Sequence, residues 1–361
     1  MNILTVVGAR PQFIKAAPVS RALRARHREV LVHTGQHYDA GMSDIFFAEL
    51  GIPQPDINLG IGSGSHGQQT GRMVMAIEEV LLAERPDWTL VYGDTNSTLA
   101  GALAAVKLGI PVAHVEAGLR SFNRAMPEEH NRVLTDHCAD LLFCPTATAV
   151  ELLAAEGLTT GVHLVGDVMV DALRQHADLA RQRSEVLVRL GLRPQGYCLA
   201  TVHRPYNTDV PENLRSILAA LGDIHQQTGR PAVLPLHPRT RGRLEALALT
   251  PPAGVLLIDP VGYLDMLALE QAAALILTDS GGVQKEAYTF AVPCITLRPE
   301  TEWVETVQAG WNVVVGADRG AIVQAATQRR WPEGPPPLLF GDGQAAGRIV
   351  AALEGAHASA G

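Results

Sequence analysis

The chain has 361 residues, which is too long for one ordinary hydrophobic core and predicts two domains. Hydrophobic residues make up 47% and charged residues 18%, a composition typical of a globular α/β enzyme, so a disordered or fibrous chain is excluded. The net charge is -8 and no run of Lys or Arg is long enough to follow a phosphate backbone, which argues against nucleic acid as the main partner.

The first apolar run is too short for a membrane span and lacks the basic flank of a signal peptide. We therefore expect a cytoplasmic protein that does not bind a membrane. The four cysteines form no Cys-x-x-Cys pair and no His-Glu-x-x-His spacing occurs, so neither a metal site nor a disulfide framework is predicted. The glycine-rich stretch at 60–67 follows a loop instead of a strand, so no bound NAD or other cofactor is expected.

Short β-rich runs alternate with helical patterns along the chain. The first series lies at 3–8, 29–35, 89–94, 111–118 and 140–146, and six further runs follow residue 196. This alternation predicts an α/β fold with two Rossmann-like domains, whose parallel sheets face a central cleft. We predict an N-terminal domain at 1–167 and a C-terminal domain at 168–343, with a last helix at 344–356 that packs back on the first domain.

Two cations follow the first strand, at the turn into the first helix. Arg10 and Lys15 stand in the string GARPQFIK. In open α/β sheets, ligands bind beyond the carboxyl ends of the strands, so both side chains can face a diphosphate. The alternative is that both are solvated surface charges.

The fourth strand ends in HVEAGLR, which places a glutamate among apolar residues. The period of two in a strand puts His114 and Glu116 on one face. Burial of a carboxylate is costly unless the group is paired or functional, so Glu116 is a candidate acid or base. The alternative is a buried ion pair with Arg120 or Arg124.

Two more candidate acids stand where helices begin. Asp94 follows the third strand in YGDTNST, where it either caps the next helix or projects toward a ligand. Glu128 lies in MPEEHNR, where Pro127 and two acids are typical of a helix start. At least one of Glu128 and Glu129 is expected to be only a cap.

In the second domain, His203 follows a strand in ATVHR, at an end that should open on the same cleft as the first-domain cations. The string TDSGGVQKE places Ser280, Gly281 and Gly282 between a strand and a helix, where free N–H groups and the helix dipole can hold a phosphate. Glu286, about one turn into that helix, can accept hydrogen bonds from ribose hydroxyls. The alternative is a plain glycine-containing turn.

Five strings, in this order and spacing, resemble the non-hydrolysing UDP-N-acetylglucosamine 2-epimerases over nearly the whole chain: GARPQFIK, YGDTNSTLAG, HVEAGLRS, MPEEHNR and LTDSGGVQKEA. The resemblance implies a GT-B fold, a homodimer, and UDP held mainly by the second domain. It also implies interconversion of UDP-GlcNAc and UDP-ManNAc by anti elimination of UDP to 2-acetamidoglucal and re-addition, for cell-surface polysaccharide precursors.

By motif position, the resemblance implies two sets of site residues. The catalytic set is Asp94, Glu116, Glu128 and His203. The set that binds the diphosphate and ribose is Arg10, Lys15, Ser280, Gly281, Gly282 and Glu286. The residue types suit the chemistry, because a departing diphosphate needs cations and N–H dipoles, and proton transfer on opposite faces of C2 needs more than one acid or base.

The sequence departs from the commonest pattern of this family at Tyr38, at Pro205 and Tyr206, and at Trp303. The resemblance associates the region of Tyr38 with allosteric activation by UDP-GlcNAc, so activation by substrate is left open. Trp303, together with HTGQHYD and LPLHPRTRG, looks more like the branch that includes UDP-2,3-diacetamido-2,3-dideoxy-glucuronate 2-epimerases.

A uronate substrate would need an extra cation near C6, and Arg120, Arg124 and Arg298 are the candidates. UDP-GlcNAc is the first expected substrate, and the diacetamido-uronate is the alternative. A UDP-sugar glycosyltransferase of the same fold, a hydrolysing epimerase and a UDP-sugar sensor are more distant alternatives.

Overall fold

The computed structural model describes residues 1–36 and 53–360, apart from the side chains of Arg10 and Ala360. The departure at Tyr38 and the diphosphate contact expected of Arg10 therefore lie outside the described residues. The chain divides into two compact units, one of 1–174 with 338–361 and one of 175–337. This division falls inside a helix, Val168–Arg183, whereas the sequence analysis placed it after residue 167.

Seven described strands form a parallel sheet in the first unit: β1 (Asn2–Val7), β2 (Arg28–His33), β3 (Ile57–Asn58), β4 (Trp88–Tyr92), β5 (Val112–Val115), β6 (Leu141–Cys144) and β7 (Val162–Leu164). Their order across the sheet is β3-β2-β1-β4-β5-β6-β7. Every residue of β4, β5 and β6 is buried, as expected when helices cover both faces of a parallel sheet.

Helices alternate with these strands: α1 (Arg10–Arg24), α2 (His66–Glu84), α3 (Asn96–Lys107), α4 (Pro127–Cys138), α5 (Ala147–Ala155) and α6 (Val168–Arg183). Local sequence explains two of the helix starts. The hydroxyl of Thr95 accepts a hydrogen bond from the backbone N–H of Thr98 at 3.3 Å and so caps α3. Pro127 occupies the first position of α4, where its fixed φ suits the helix.

The second unit contains a parallel sheet of six strands: β8 (Cys198–Thr201), β9 (Ala232–Pro235), β10 (Val255–Ile258), β11 (Leu275–Thr278), β12 (Cys294–Thr296) and β13 (Asn312–Val314). Their order is β10-β9-β8-β11-β12-β13. Its helices are α7 (Val186–Arg189), α8 (Pro205–Thr208), α9 (Pro211–Thr228), α10 (Pro238–Ala246), α11 (Tyr263–Ala272), α12 (Gly281–Thr289), α13 (Val304–Gln308) and α14 (Arg319–Gln328). The α/β class and the two parallel sheets predicted from sequence are confirmed.

The last helix, α15 (Ala345–Ala360), belongs to the first unit and packs against α1. The carboxylate of Asp171 accepts the backbone N–H groups of Ala345 and Ala346 at 3.2 and 2.9 Å, which satisfies two donors at the start of the helix. None of the described helices is long and apolar enough to span a membrane.

The strand order reverses once in each sheet, between β1 and β4 in the first unit and between β8 and β11 in the second. Ligands of open α/β sheets bind beyond the carboxyl ends of the strands at such a reversal. The segment at 8–15 follows β1, Asp94 closely follows β4, His203 follows β8, and Ser280 follows β11. The topology therefore indicates one ligand site in each unit.

Candidate active site

Lys15 and Glu116 form an ion pair at the carboxyl end of the first sheet, with side chains that are 17% and 9% exposed. Glu116 directly follows β5 and has a φ of 73°, a left-handed conformation that is uncommon for a residue with a side chain. Because β5 ends before Glu116, the strand alternation expected to align it with His114 does not extend that far. Glu116 pairs with Lys15 instead of Arg120 or Arg124, the partners considered from sequence.

The ammonium of Lys15 lies among acidic groups. Burial lowers the pKa of Lys15, but the carboxylates of Glu116, Asp167 and Asp94 outweigh burial and raise it above its ordinary value. Lys15 is therefore protonated at neutral pH. The alternative, that Lys15 is a solvated surface charge, is wrong, because its side chain is largely enclosed.

Gly93, which directly follows β4, lies beside this ion pair. Its φ is 63°, and a Cβ added there would lie 3.3 Å from Oε2 of Glu116 and 3.8 Å from Nζ of Lys15. A side chain at this position would therefore press on the ion pair and also strain the backbone.

Asp94 follows Gly93 and pairs with Arg132 of α4. About a third of its side chain (35%) is exposed, so the carboxylate is accessible from solvent. Thr95, not Asp94, caps α3, which leaves the Asp94 carboxylate available for another role. The backbone carbonyl of Asp94 accepts a hydrogen bond from Nδ2 of Asn131 at 2.9 Å.

The two acids at the start of α4 have different environments. Glu129 is buried and accepts hydrogen bonds from the backbone N–H groups of Ser121 and Phe122 at 2.9 and 2.8 Å. Although burial raises the pKa of Glu129, these bonds and the Arg132 guanidinium lower it overall. Glu128 is partly exposed, and no hydrogen bond or ion pair involves its carboxylate in the described part of the chain. Glu129 is thus structural, and Glu128 remains the candidate for chemistry.

A buried polar chain, which the sequence analysis did not predict, supports the same strand ends. His114 contacts the carbonyl of Gly93 through Nε2 at 2.8 Å and Asp136 through Nδ1 at 2.7 Å. Asp136 also accepts a hydrogen bond from Arg120 at 2.7 Å, and Arg120 pairs with Glu156. Despite its burial, the pKa of Asp136 is lowered by His114 and Arg120. Arg120 therefore has a structural role and is committed to two carboxylates.

In the second unit, Asp279 fixes the loop that carries His203. Its buried carboxylate accepts the backbone N–H groups of His203 and Arg204 and the side-chain amide of Asn207, each at 3.0 Å. Burial raises the pKa of Asp279, but these contacts and the His203 ring lower it overall. Asp279 stands in the predicted TDSGG string, yet the string alone does not reveal that it orients His203.

The turn at Ser280, Gly281 and Gly282 opens α12. The Ser280 hydroxyl accepts the backbone N–H of Val283 at 3.5 Å. In the described part of the chain, no acceptor meets the backbone N–H of Gly281 or Gly282. A Cβ at Gly281 would lie 2.2 Å from Oε1 of Glu302, so a side chain there would force the Glu302 carboxylate to move. Open N–H groups at a helix N-terminus form an anion site.

Glu286 lies one turn into α12 and is partly exposed. Its carboxyl faces that of Glu270, a fully buried residue of α11 that the sequence analysis did not single out. Burial raises the pKa of Glu286 to about 7, although a hydrogen bond from Glu270 and the charge of Lys285 lower it.

Three sequence departures lie within the second unit. Pro205 starts the short helix α8, and Tyr206 beside it is 44% exposed. Trp303 is buried beneath Lys285, whose Nζ lies 4.1 Å from the ring centroid, a cation–π contact. Across the described residues, no three His, Cys, Asp or Glu side chains converge as they would around a metal ion.

The three arginines considered for a uronate have different partners. Arg120 is held by Asp136 and Glu156, and Arg298 pairs with Glu302 at 2.9 Å. Arg124 lies on the β5–α4 loop, and within the described ranges no carboxylate pairs with its guanidinium. It lines a cavity of about 640 Å³ between α2, α3 and α4, together with His66, Asn96, His130 and Asn131.

The family model described as UDP-N-acetylglucosamine 2-epimerase matches residues 21–354. A UDP-2,3-diacetamido-2,3-dideoxy-D-glucuronate 2-epimerase of Pseudomonas aeruginosa is 55% identical over 97% of this chain and 98% of the relative. The chain belongs to the UDP-N-acetylglucosamine 2-epimerase family. A UDP-N-acetylglucosamine 2-epimerase homolog of Methanococcus maripaludis is 52% identical over 98% of this chain and 99% of the relative.

Among solved structures, the Methanocaldococcus jannaschii UDP-GlcNAc 2-epimerase in complex with UDP-GlcNAc and UDP has a TM-score of 0.84. It is 44% identical in sequence, and the match covers 98% of this chain and 99% of that one. The family and the GT-B fold class predicted from the sequence strings are thus confirmed, and the chain is an enzyme of the epimerase type.

Proposed function

We propose that this epimerase interconverts UDP-GlcNAc and UDP-ManNAc without net hydrolysis. The observation that carries the proposal is the cluster in the first unit, where the Lys15 ammonium contacts Glu116 and lies in the field of Asp94. A relative at 44% identity was solved with UDP-GlcNAc and UDP, which supports this substrate. We further propose that the product supplies cell-surface polysaccharide precursors.

The proposed reaction is an elimination followed by an addition. The C1–O bond breaks and its electron pair leaves with UDP, while the electrons of the C2–H bond form the C1–C2 double bond of 2-acetamidoglucal. A carboxylate accepts the C2 proton. UDP then returns to C1 after a carboxylic acid has protonated the opposite face of C2. Because two faces need groups at different positions, we assign proton transfer to Asp94, Glu116 and Glu128.

Lys15 has two proposed partners. An ammonium has three N–H donors, so Lys15 can hold Glu116 as a carboxylate and still donate to an oxygen of the diphosphate. Its charge would keep Glu116 ionised before proton transfer. As the C1–O bond breaks, the same charge would stabilise the departing diphosphate. Arg10 remains a predicted diphosphate ligand.

The second unit is proposed to hold UDP. The open N–H groups of Gly281 and Gly282, with the Ser280 hydroxyl, suit the diphosphate. Glu286 suits the ribose hydroxyls, and His203 suits the departing phosphate oxygen because Asp279 orients its ring through Nδ1 at 3.1 Å. Orientation of an imidazole by a carboxylate leaves the other ring nitrogen for the ligand.

The test is turnover of UDP-GlcNAc in D₂O, followed at C2 by NMR. We expect UDP-ManNAc to appear, deuterium to enter C2 of both nucleotide sugars, and no free N-acetylmannosamine to form. Product without deuterium at C2 contradicts the elimination. Release of the free sugar identifies a hydrolysing epimerase, and transfer of the sugar to an acceptor identifies a glycosyltransferase.

A second candidate substrate is UDP-2,3-diacetamido-2,3-dideoxy-glucuronate. The specific observation is Arg124, which has no carboxylate partner among the described residues, whereas Arg120 and Arg298 are paired. The Pseudomonas aeruginosa relative named for that substrate is 55% identical. In this candidate function, Arg124 binds the carboxylate at C6.

Parallel turnover of the two substrates by the wild type and Arg124→Gln decides between them. If the uronate is the substrate, we expect Arg124→Gln to lower its kcat/KM by at least about tenfold, the loss of one charged hydrogen bond. The control Arg72→Gln changes an exposed arginine of α2 and should have no effect. Faster turnover of UDP-GlcNAc, with no effect of Arg124→Gln, contradicts the uronate.

A homodimer is also proposed, on the family resemblance and on exposed apolar side chains. Three consecutive helices of the first unit, α2, α3 and α4, carry Met75, Leu82, Val106 and Leu134, which are 41% to 62% exposed. Exposed apolar side chains on neighbouring helices suit a protein interface. Light scattering should give twice the chain mass, and a monomer at micromolar concentration would contradict it. The cytoplasmic location stays a prediction from sequence.

A further inference from the structure

Glu270 is a buried acid that the proposed reaction does not use. It lies near the end of α11, and its side chain has no exposure to solvent. Among the residues that the structure describes, neither carboxyl oxygen meets a hydrogen-bond donor. An ionised carboxylate in such a place is strongly unfavourable, because it loses its hydration and gains no donor or cation.

The group that faces Glu270 is the carboxyl of Glu286 on α12. Two ionised carboxylates in contact repel each other, whereas one shared proton converts the contact into a hydrogen bond. The protonated carboxyl is then the donor, the other carboxylate accepts, and the protonated group carries no charge that needs a donor. Because Glu270 is fully buried and Glu286 is partly exposed, the proton belongs on Glu270 and the negative charge on Glu286.

The other groups around the pair agree with this assignment. Tyr263, on α11, has a buried hydroxyl without a partner in the described ranges, and Tyr197 donates its hydroxyl to the carbonyl of Leu269. Cys294 of β12 is a buried neutral thiol, and the pKa of this thiol is raised first by burial and then by Glu270. The cation of this group, Lys285, acts on Glu286 and stacks on Trp303.

The titration of the pair follows from burial. Burial and the neighbouring Glu286 raise the pKa of Glu270 well above its ordinary value. Burial raises the pKa of Glu286 to about 7, because the hydrogen bond from Glu270 and the charge of Lys285 offset only part of the burial. Above about pH 7 the pair therefore carries one negative charge, located on Glu286.

We infer that Glu270 is a positioning residue that stays a neutral acid and donates a hydrogen bond to Glu286, which keeps Glu286 an oriented carboxylate for the ribose hydroxyls of the nucleotide. The inference rests on the proposed ribose contact of Glu286. A charged acceptor binds hydroxyls more strongly than a neutral carboxyl group. Nucleotide binding therefore strengthens as pH rises through about 7, where Glu286 ionises.

The experiment measures the Kd of UDP between pH 5.5 and 8.5 by calorimetry for four variants and the wild type. We expect the wild-type Kd to fall about tenfold with a midpoint near pH 7. Glu270→Gln should keep this profile, because an amide donates as the neutral acid does. Glu270→Met fills a similar volume without a donor, so its midpoint should rise by about one pH unit or more. The control Glu245→Gln, an exposed acid of α10, should match the wild type.

Two results overturn the inference: a wild-type profile in Glu270→Met, or a Glu270→Gln profile that matches Glu270→Met, since the latter would mean that the charge of Glu270 is needed. If a variant fails to fold, a measurement on the wild type alone still tests the inference. At pH 6.5, binding of uridine, which has no phosphate that titrates, should release a fraction of a proton, seen as different heats of binding in two buffers, and no release contradicts the inference.

Glu286→Ala separates this inference from the proposed function. If Glu286→Ala leaves the Kd of UDP unchanged at pH 8, the ribose contact itself is wrong. If Glu286→Ala weakens UDP binding while Glu270→Met does not, the ribose contact stands and only the role of Glu270 is wrong.

Discussion

Asp279 holds His203 through two contacts: its carboxylate accepts the backbone N–H of His203 at 3.0 Å and lies 3.1 Å from Nδ1 of the His203 ring. The two residues follow β11 and β8, the neighbouring strands at which the order of the second sheet reverses. The turn at 280–282 and the candidate histidine are therefore fixed relative to each other by a carboxylate that is buried from solvent.

Asp279→Ala tests this arrangement. The variant leaves two buried backbone N–H groups and the Asn207 amide without their acceptor, at about 1–3 kcal/mol for each unpaired group. We expect the free energy of unfolding to fall by at least about 2 kcal/mol in urea denaturation. The control Asp259→Ala, which removes an exposed partner of Arg241, should change little. Equal stabilities of the two variants would contradict the role of Asp279.

The same contact sets a pH dependence in acid. The folded-state pKa of Asp279 is lowered, so its contribution to stability is present above the ordinary value of 3.8 and is lost as pH falls through the folded value. The wild type should therefore lose more stability than Asp279→Asn between pH 5 and 3. The measurement is the urea midpoint of each protein across that range, and parallel curves would contradict the prediction.

Gly93→Ala separates backbone strain from damage to the site. A non-glycine residue at a φ of 63° costs about 1–2 kcal/mol, and the new Cβ also lies 3.3 Å from Glu116 Oε2. The matched control is Gly109→Ala, which has a φ of 69° and nothing within 4 Å of the new Cβ. We expect similar losses of stability in both, and a loss of kcat only in Gly93→Ala. Equal kcat values would show that the Lys15–Glu116 geometry tolerates the contact.

Single replacements of the three acids test proton transfer. Asp94→Asn, Glu116→Gln and Glu128→Gln should each lower kcat by about 100-fold or more, the usual contribution of a general acid or base. The Kd of UDP should stay close to the wild-type value, since the diphosphate and ribose contacts are assigned to other residues. Glu151→Gln, an exposed acid of α5, is the control. Unchanged kcat in all three refutes the assignment.

The buried Glu270–Glu286 pair gives stability a pH dependence opposite to that given by Asp279. The folded-state pKa of Glu286 is raised from 4.5 to about 7, so the unfolded chain binds fewer protons between these values. Stability is full below about pH 4.5 and falls by at most about 3 kcal/mol as pH rises to about 7. Glu286→Gln should flatten this part of the curve in urea denaturation. A slope equal to that of the wild type would assign the titration to other groups.

Sequence patterns predicted the strand ends well. Short apolar runs followed by turn or polar residues placed Asp94, Glu116, His203 and Ser280 at the carboxyl ends of strands, where the structure has them, whereas the period of two did not extend to Glu116. These features are local, because a short apolar run and the turn after it are encoded within about ten residues.

The partners of these residues could not be predicted in the same way. Lys15 and Glu116 are 101 positions apart, and their contact depends on how α1 packs on the first sheet. Glu270 stands in a helix pattern in which a glutamate is ordinarily solvent-exposed, so its burial appears only once α11 and α12 are packed. The periodicity of a segment does not reveal that an ionisable residue is buried when its partner comes from another element.

Arg132 binds Asp94 through one nitrogen and Glu129 through another, so two acids of very different burial share one cation. Their substitutions will not be additive, because loss of either acid gives the other sole use of the guanidinium. Glu129 in turn anchors the backbone at 121–122. Attempts to alter substrate choice through the nearby loop at 119–126 would therefore have to treat Asp94, Glu129 and Arg132 as a single unit of design.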